Sequence, residues 1–169
     1  MSILCYVLGL SPEQIKALRV KPSLATDVAM AAMGEGDVSQ FGSLQEALDL
    51  QKSWHMLHYL FTGSIDDTRS HGAALLSGEE LGEDIGYGPV RLHGEKATAE
   101  FARFLESVDL EGRLARMNVA EMANAGVYSM PDGDEEDGIR EEVGYYFPQL
   151  RDYVVRVAQK QGGLLTWLS

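Results

Sequence analysis

Ile3-Leu4-Cys5-Tyr6-Val7-Leu8, near the start of the chain, is a nearly continuous apolar run, and Leu164-Leu165-Thr166-Trp167-Leu168 answers it at the end. A strand with one wet face alternates apolar and polar residues. Runs of this length without alternation are the pattern of strands covered on both faces. Between them lie segments that read mainly as helices. Strands at both termini with helices between them predict an α+β fold: a single domain over residues 1–169, with a small mixed sheet that holds the N- and C-terminal strands as neighbours and is covered by several helices.

Working inward, Gly9 is read as the end of the first strand. Ser11-Pro12-Glu13-Gln14 then has a serine N-cap, proline at the first helical position and a glutamine placed to close a capping box, so a helix is expected to about Val20. Pro22 opens a second helix, rich in alanine and methionine, that stops at Gly34-Glu35-Gly36; Met30 and Met33 are read as core filler. Ser43-Leu44-Gln45-Glu46 reads as another capping box, opening a helix to about Phe61 with Gly63 as its stop. At 100° per residue Ala47, Leu50, Trp54, Leu57 and Phe61 share its apolar stripe. His58 lies at the edge of that stripe and His55 further round.

The glycine-rich, acidic stretch from Gly78 to Gly88 reads as a loop, followed by a short strand at Val90-Arg91-Leu92, and Ala73 to Leu76 as a strand or helical turn. Residues 95–108 form an amphipathic helix with Ala97, Phe101, Phe104, Leu105 and Val108 on one side. A helix from Asp109 to about Met117 follows, then a short one capped by Asn118 and ending at Gly126. Pro131 to Asp137 is an acidic connector. The last helix runs to about Gln161, kinked or interrupted at Pro148 because proline lacks a backbone donor.

The chain holds 26 acidic and 14 basic residues, a formal charge of −12. So acidic a surface repels phosphate backbones and anionic lipid, which disfavours nucleic-acid and membrane-surface roles and suits a basic protein partner. The single cysteine, Cys5, has no internal disulfide partner and reads as a small buried hydrophobe in a reducing compartment. The run from Ile3 to Leu10 lacks the basic flank and the small-residue pattern of a signal peptide, and no apolar stretch is long enough to span a bilayer, so a cytoplasmic location is expected.

Chemistry-bearing motifs fail on their spacing. His55 and His58 can face one side of a helix, with Glu79, Glu80, Glu83 or Asp84 within conceivable reach, but no zinc spacing is present among the four histidines (His55, His58, His71, His93). Asp132 to Gly138 fails as a calcium loop, since the loop's required glycine position is Asp137 and its closing acid position is Val143. Gly86-Tyr87-Gly88-Pro89-Val90-Arg91 begins like a dinucleotide motif but lacks the third glycine, and Pro89 removes a donor where a phosphate cradle needs one. There is no nucleophile elbow. Neither a cofactor nor a metal is implied.

Several segments together resemble the YfbM-like family of small bacterial proteins, a domain of unknown function. They are the strand before Ser11, Lys52-x-Trp54-x-x-x-His58 with Leu60 to Gly63, Gly86 to Arg91, the Asn118–Met122 turn, and the C-terminal helix followed by its hydrophobic strand. The resemblance spans nearly the whole chain and implies a bacterial, cytosolic, single α+β domain. It implies no activity.

The leading expectation is a non-enzymatic binding or protein-interaction module. Its partner surface would be the acidic residues Glu79, Glu80, Glu83, Asp84, Glu135 and Glu136, and an immunity-like role against a basic toxin is one form of it. The alternative is a small-molecule-binding or enzymatic site where the Trp54–His58 helix meets the Gly82–Arg91 loop. There Trp54 or Tyr87 would stack, His58 would exchange a proton and Arg91 would hold an anion.

Overall fold

The computed structural model describes residues 1–130 and 136–169. In chain order the strands are β1 (Cys5–Leu10), β2 (Leu48–Asp49), β3 (Glu79–Asp84), β4 (Pro89–His93) and β5 (Gly163–Leu168). The helices are α1 (Pro12–Val20), α2 (Leu24–Ala32), α3 (Trp54–Thr62), α4 (Glu95–Ser107), α5 (Leu110–Ala115), α6 (Val119–Ala125) and α7 (Glu136–Gln159). The sheet order is β2-β1-β5-β4-β3, so the two terminal strands are neighbours near its centre. Each pairing is antiparallel, which corrects the expected mixed sheet.

Alternation along β1 and β5 explains why both read as unbroken apolar runs. Cys5, Val7, Leu164 and Leu168 enter one core with α3, α4 and α7. Leu8, Leu10, Leu165 and Trp167 enter the other with α1 and α2. The sheet is therefore the middle of three layers, and each central strand buries both of its faces. Trp167 lies opposite Tyr6 in the register, stacks on its ring at 5.4 Å, and donates its indole N–H to the Met33 sulfur at 3.4 Å.

The helix ends follow local chemistry. Ser11 and Gln14 close the capping box on α1, Asp109 and Asn118 cap α5 and α6, and Gly63 and Gly126 end α3 and α6 in the left-handed conformation. α7 runs through Pro148 without a break.

Three further readings need correction. First, Ser43 to Glu46 is no helix start; α3 begins at Trp54. β1 needs a partner along its outer edge, and Leu48–Asp49 supplies it, with Leu50 N–H donating to Cys5 O and Cys5 N–H to Gln51 O. Gln51 then adopts φ +51°, which a continuing helix excludes. Pairing of buried backbone outweighs helix propensity here. Second, the Gly78–Gly88 loop is a hairpin whose first strand is β3, with a register shift between Leu81 and Asp84. Third, β1 does not stop at Gly9 but continues through it to Leu10.

Gly9 has a positional reason. β2 ends before reaching it, so the N–H that Gly9 turns outward is taken by the Tyr153 hydroxyl of α7 at 2.9 Å, and that hydroxyl donates to the Glu46 carbonyl at 2.8 Å. A side chain at Gly9 would run into the Gln45 amide and come within 2.5 Å of Val157. Tyr153→Phe should therefore leave a buried N–H and a carbonyl without their partner, at a cost of about 1–3 kcal/mol in unfolding free energy by urea titration. An unchanged midpoint would show that the two backbone groups find other partners.

Candidate functional site

The Trp54–His58 segment is buried, and its groups divide sharply by what they bind. Trp54 donates its indole N–H to Ile3 O at 3.1 Å, and Ile3 N–H donates to the Tyr128 hydroxyl at 2.8 Å. Tyr128 N–H in turn donates to His55 Nδ1 at 2.8 Å. Since Nδ1 accepts, the ring proton sits on Nε2, which donates to Ile65 O at 3.0 Å. The Trp54 and His55 rings stack at 4.6 Å, and the Tyr128 ring stacks on Trp54 at 6.0 Å between ring centres. These bonds tie the start of the chain, α3, the segment after α3 and the segment after α6 into one clamp. His55 is thereby fully used as a structural group.

His58 differs. It is wholly buried, and neither ring nitrogen has a hydrogen-bond partner among the described residues. Burial pushes its pKa down to about 4; the nearby His55 ring adds to this, and Asp67 and Asp66 oppose it. At neutral pH it is an uncharged, buried ring. Cys5 is likewise buried, and burial raises its thiol to about 12 against the counter-effect of Arg91, so it carries no thiolate to act as nucleophile.

Tyr87 and Arg91 flank the turn and second strand of the hairpin. Tyr87 is half-buried against the larger core. Arg91 is 14% exposed, its Nε lies 3.9 Å from Glu80 Oε1, and its Nη1 is buried without a hydrogen-bond partner among the described residues. Trp54 and His58 belong to the clamp helix, where their rings are enclosed by core residues. Among the described residues no three His, Cys, Asp or Glu side chains converge as a metal site would need.

Four of the six acidic candidates fall on β3, one of the two outermost strands. Glu79, Glu80, Glu83 and Asp84 are exposed on β3, where only Leu81 is buried. Two of the four have structural duties. Asp84 accepts the N–H groups of Gly86 at 2.7 Å and Gly88 at 3.1 Å and so shapes the turn, and Glu80 faces Arg91. Glu136 pairs with Arg140 one turn along α7 at 2.8 Å; Glu135 lies outside the described residues.

One cleft escaped the sequence reading. It is about 280 Å³ in volume, sits at the end of β1, and is lined by Gly9, Gln14, Ser43, Gln45, Arg156 and Lys160 among others. The available signal was the glycine inside an apolar strand, which marks a close approach of another group.

Comparison with known proteins fits this architecture. The model of the family described as Domain of unknown function (DUF1877) matches residues 1–167. The crystal structure of YfbM from Escherichia coli, a protein of unknown function, superimposes with a TM-score of 0.73, covering 98% of this chain and 99% of that one at 19% identity. No curated protein matches the sequence.

Proposed function

From a chain that belongs to the DUF1877 family, whose description fixes no activity, we propose a non-enzymatic protein-interaction domain that binds a basic partner through the β3 edge. The observation that carries this reading is the placement of Glu79, Glu80, Glu83 and Asp84 on β3, an edge strand of the sheet, exposed to solvent. An edge strand presents unpaired backbone donors and acceptors. Carboxylates beside them favour an extended segment bearing lysine or arginine, and speed its arrival. The same charges, with the register shift after Leu81, oppose pairing with a second copy of this chain. Thr26 Oγ1 already accepts the Glu83 N–H, so the accessible part of the edge lies toward Glu79. Neutralisation of a basic toxin, an immunity-like role, is a concrete form of this function.

Binding of a fluorescent lysine-rich peptide should be saturable and fall as salt rises. Glu79→Lys with Glu83→Lys should weaken it by about tenfold or more, while Glu106→Lys with Glu111→Lys, equal in charge but remote from β3, should leave it near wild type. Equal losses from both pairs would mean that net charge acts, not the edge.

A second reading, a small-molecule or enzymatic site near His58, Tyr87 and Arg91, draws on the buried nitrogens of His58 and Arg91 that lack hydrogen-bond partners among the described residues. Thermal-shift screening of wild type against His58→Ala and Arg91→Ala separates the two readings, because a ligand of that site would stabilise wild type alone.

A further inference from the structure

We propose that the cleft at the end of β1 binds a small oxyanion-bearing molecule, a phosphate or carboxylate compound, with Arg156 and Lys160 as its charge partners and Gln45 and Ser43 as neutral donors. Four observations converge on it. The first is charge. The cleft's lining contains two cationic side chains and no acidic one, in a chain whose acids outnumber its bases by 26 to 14. The second is availability. Arg156, in the last turn of α7, and Lys160, just past its end, are both exposed, and neither forms an ion pair among the described residues. Arg156 is held in place by its position over the Tyr153 ring, 5.8 Å from the centre.

The third is the wall. Gly9 lets the Gln45 amide and Val157 pack directly on the strand, since any Cβ there would collide with both, and so it seats Gln45 at the cleft wall. Glycine inside a strand costs stability through its backbone freedom and adds no packing, so its presence on a central strand is a cost that the close approach of Gln45 and Val157 explains. The fourth is the amide itself. Gln45 lies over Gly9 and makes no hydrogen bond among the described residues, which leaves its donors free for a ligand. The adjoining first turn of α1 is not part of the argument, because its capping box already uses the Gln14 N–H and the Gln14 side chain.

The size and the field select the ligand. A volume of about 280 Å³ admits a small metabolite. A polyanion such as nucleic acid meets the repulsion of the whole acidic surface, whereas a small anion inside the cleft sits beside the two cations, with Glu46 and Asp49 lining the adjoining cleft that shares Gln45 and Arg156. The site lies on the β1 side of the sheet, away from the β3 edge, so it stands apart from the protein-interaction reading.

The test is titration of the full chain with inorganic phosphate, succinate and chloride, followed by amide NMR. Phosphate or succinate should shift the Gly9 backbone and Gln45 side-chain amide signals saturably, with a dissociation constant on the order of 1 mM or lower. The tighter of the two identifies the oxyanion class. Arg156→Gln with Lys160→Gln should weaken binding about tenfold or more, and Lys96→Gln with Arg103→Gln, an equal change of charge on α4, should not. Four results overturn the proposal: no saturable shift with either oxyanion, equal saturation by chloride, unchanged affinity in the α7 double variant, or equal weakening in the α4 control.

Discussion

Lowering the pH from about 6.5 to about 4 is expected to cost the fold about 3 kcal/mol for each of His58 and His93. Both rings are buried, and burial depresses each pKa from 6.5 to about 4. For His93 the carbonyls of Ala74 and Ser77 oppose the shift and Arg91 adds to it. The sign follows from proton uptake. Above pH 6.5 the rings are neutral whether folded or unfolded and contribute nothing. Between the two values the unfolded chain binds protons that the folded one refuses, so stability falls by about 1.4 kcal/mol per pH unit for each ring. Below about 4 the folded rings also protonate and the loss levels off. Urea unfolding at several pH values from 7.5 downward reads this directly. His58→Leu replaces an imidazole that has no hydrogen-bond partner among the described residues by an apolar group of similar size, so it should be neutral or stabilising at pH 7.5 and remove roughly half of the acid sensitivity. Parallel pH curves for variant and wild type would show that His58 does not govern the acid response.

Trp167→Ala is the most damaging single truncation expected, at about 3–5 kcal/mol. The ring is fully buried on the central strand, stacks on Tyr6 and gives its N–H to Met33, so truncation opens a cavity between the sheet and α2. Val20→Ala, at a side chain 87% exposed at the end of α1, should stay within about 0.5 kcal/mol. Denaturant midpoints of the two variants compare them; similar losses would mean that the two-layered burial of β5 is not what holds the sheet.

The parts of this fold legible beforehand are those decided within a few residues. Ser11 with Gln14, Asp109, Asn118, Gly63 and Gly126 mark helix ends because each satisfies backbone groups next to it or supplies a left-handed stop. Ser43 to Glu46 carries the same signature and forms no helix, since the edge of β1 captures the residues that follow. β3 was hidden for another reason. Glu79-Glu80-Leu81-Gly82-Glu83-Asp84 has one buried side chain and poor strand formers, and only its hydrogen-bonding to β4 makes it a strand.

The candidate residues divide in the same way. That the acids are exposed follows from their charge alone, but that four of them lie on a sheet edge does not. The roles of His55 and His58 depend on partners that sequence spacing cannot supply: Ile65 and Tyr128 stand 10 and 73 positions from His55. The Arg156–Lys160 cleft needs α7, β1 and the 43–45 segment to meet.

By itself the sequence determined an acidic α+β domain with buried terminal strands, because unalternating apolar runs and net charge are properties of residues wherever they fold. Only the tertiary structure decided that β3 is an exposed edge of the sheet, that His55 is a clamp while His58 is a buried ring without hydrogen-bond partners among the described residues, and that Gly9 seats Gln45 at a cationic cleft. Those outcomes rest on which backbone and side-chain groups find partners across long separations, and burial makes each unpaired group costly enough to settle the choice.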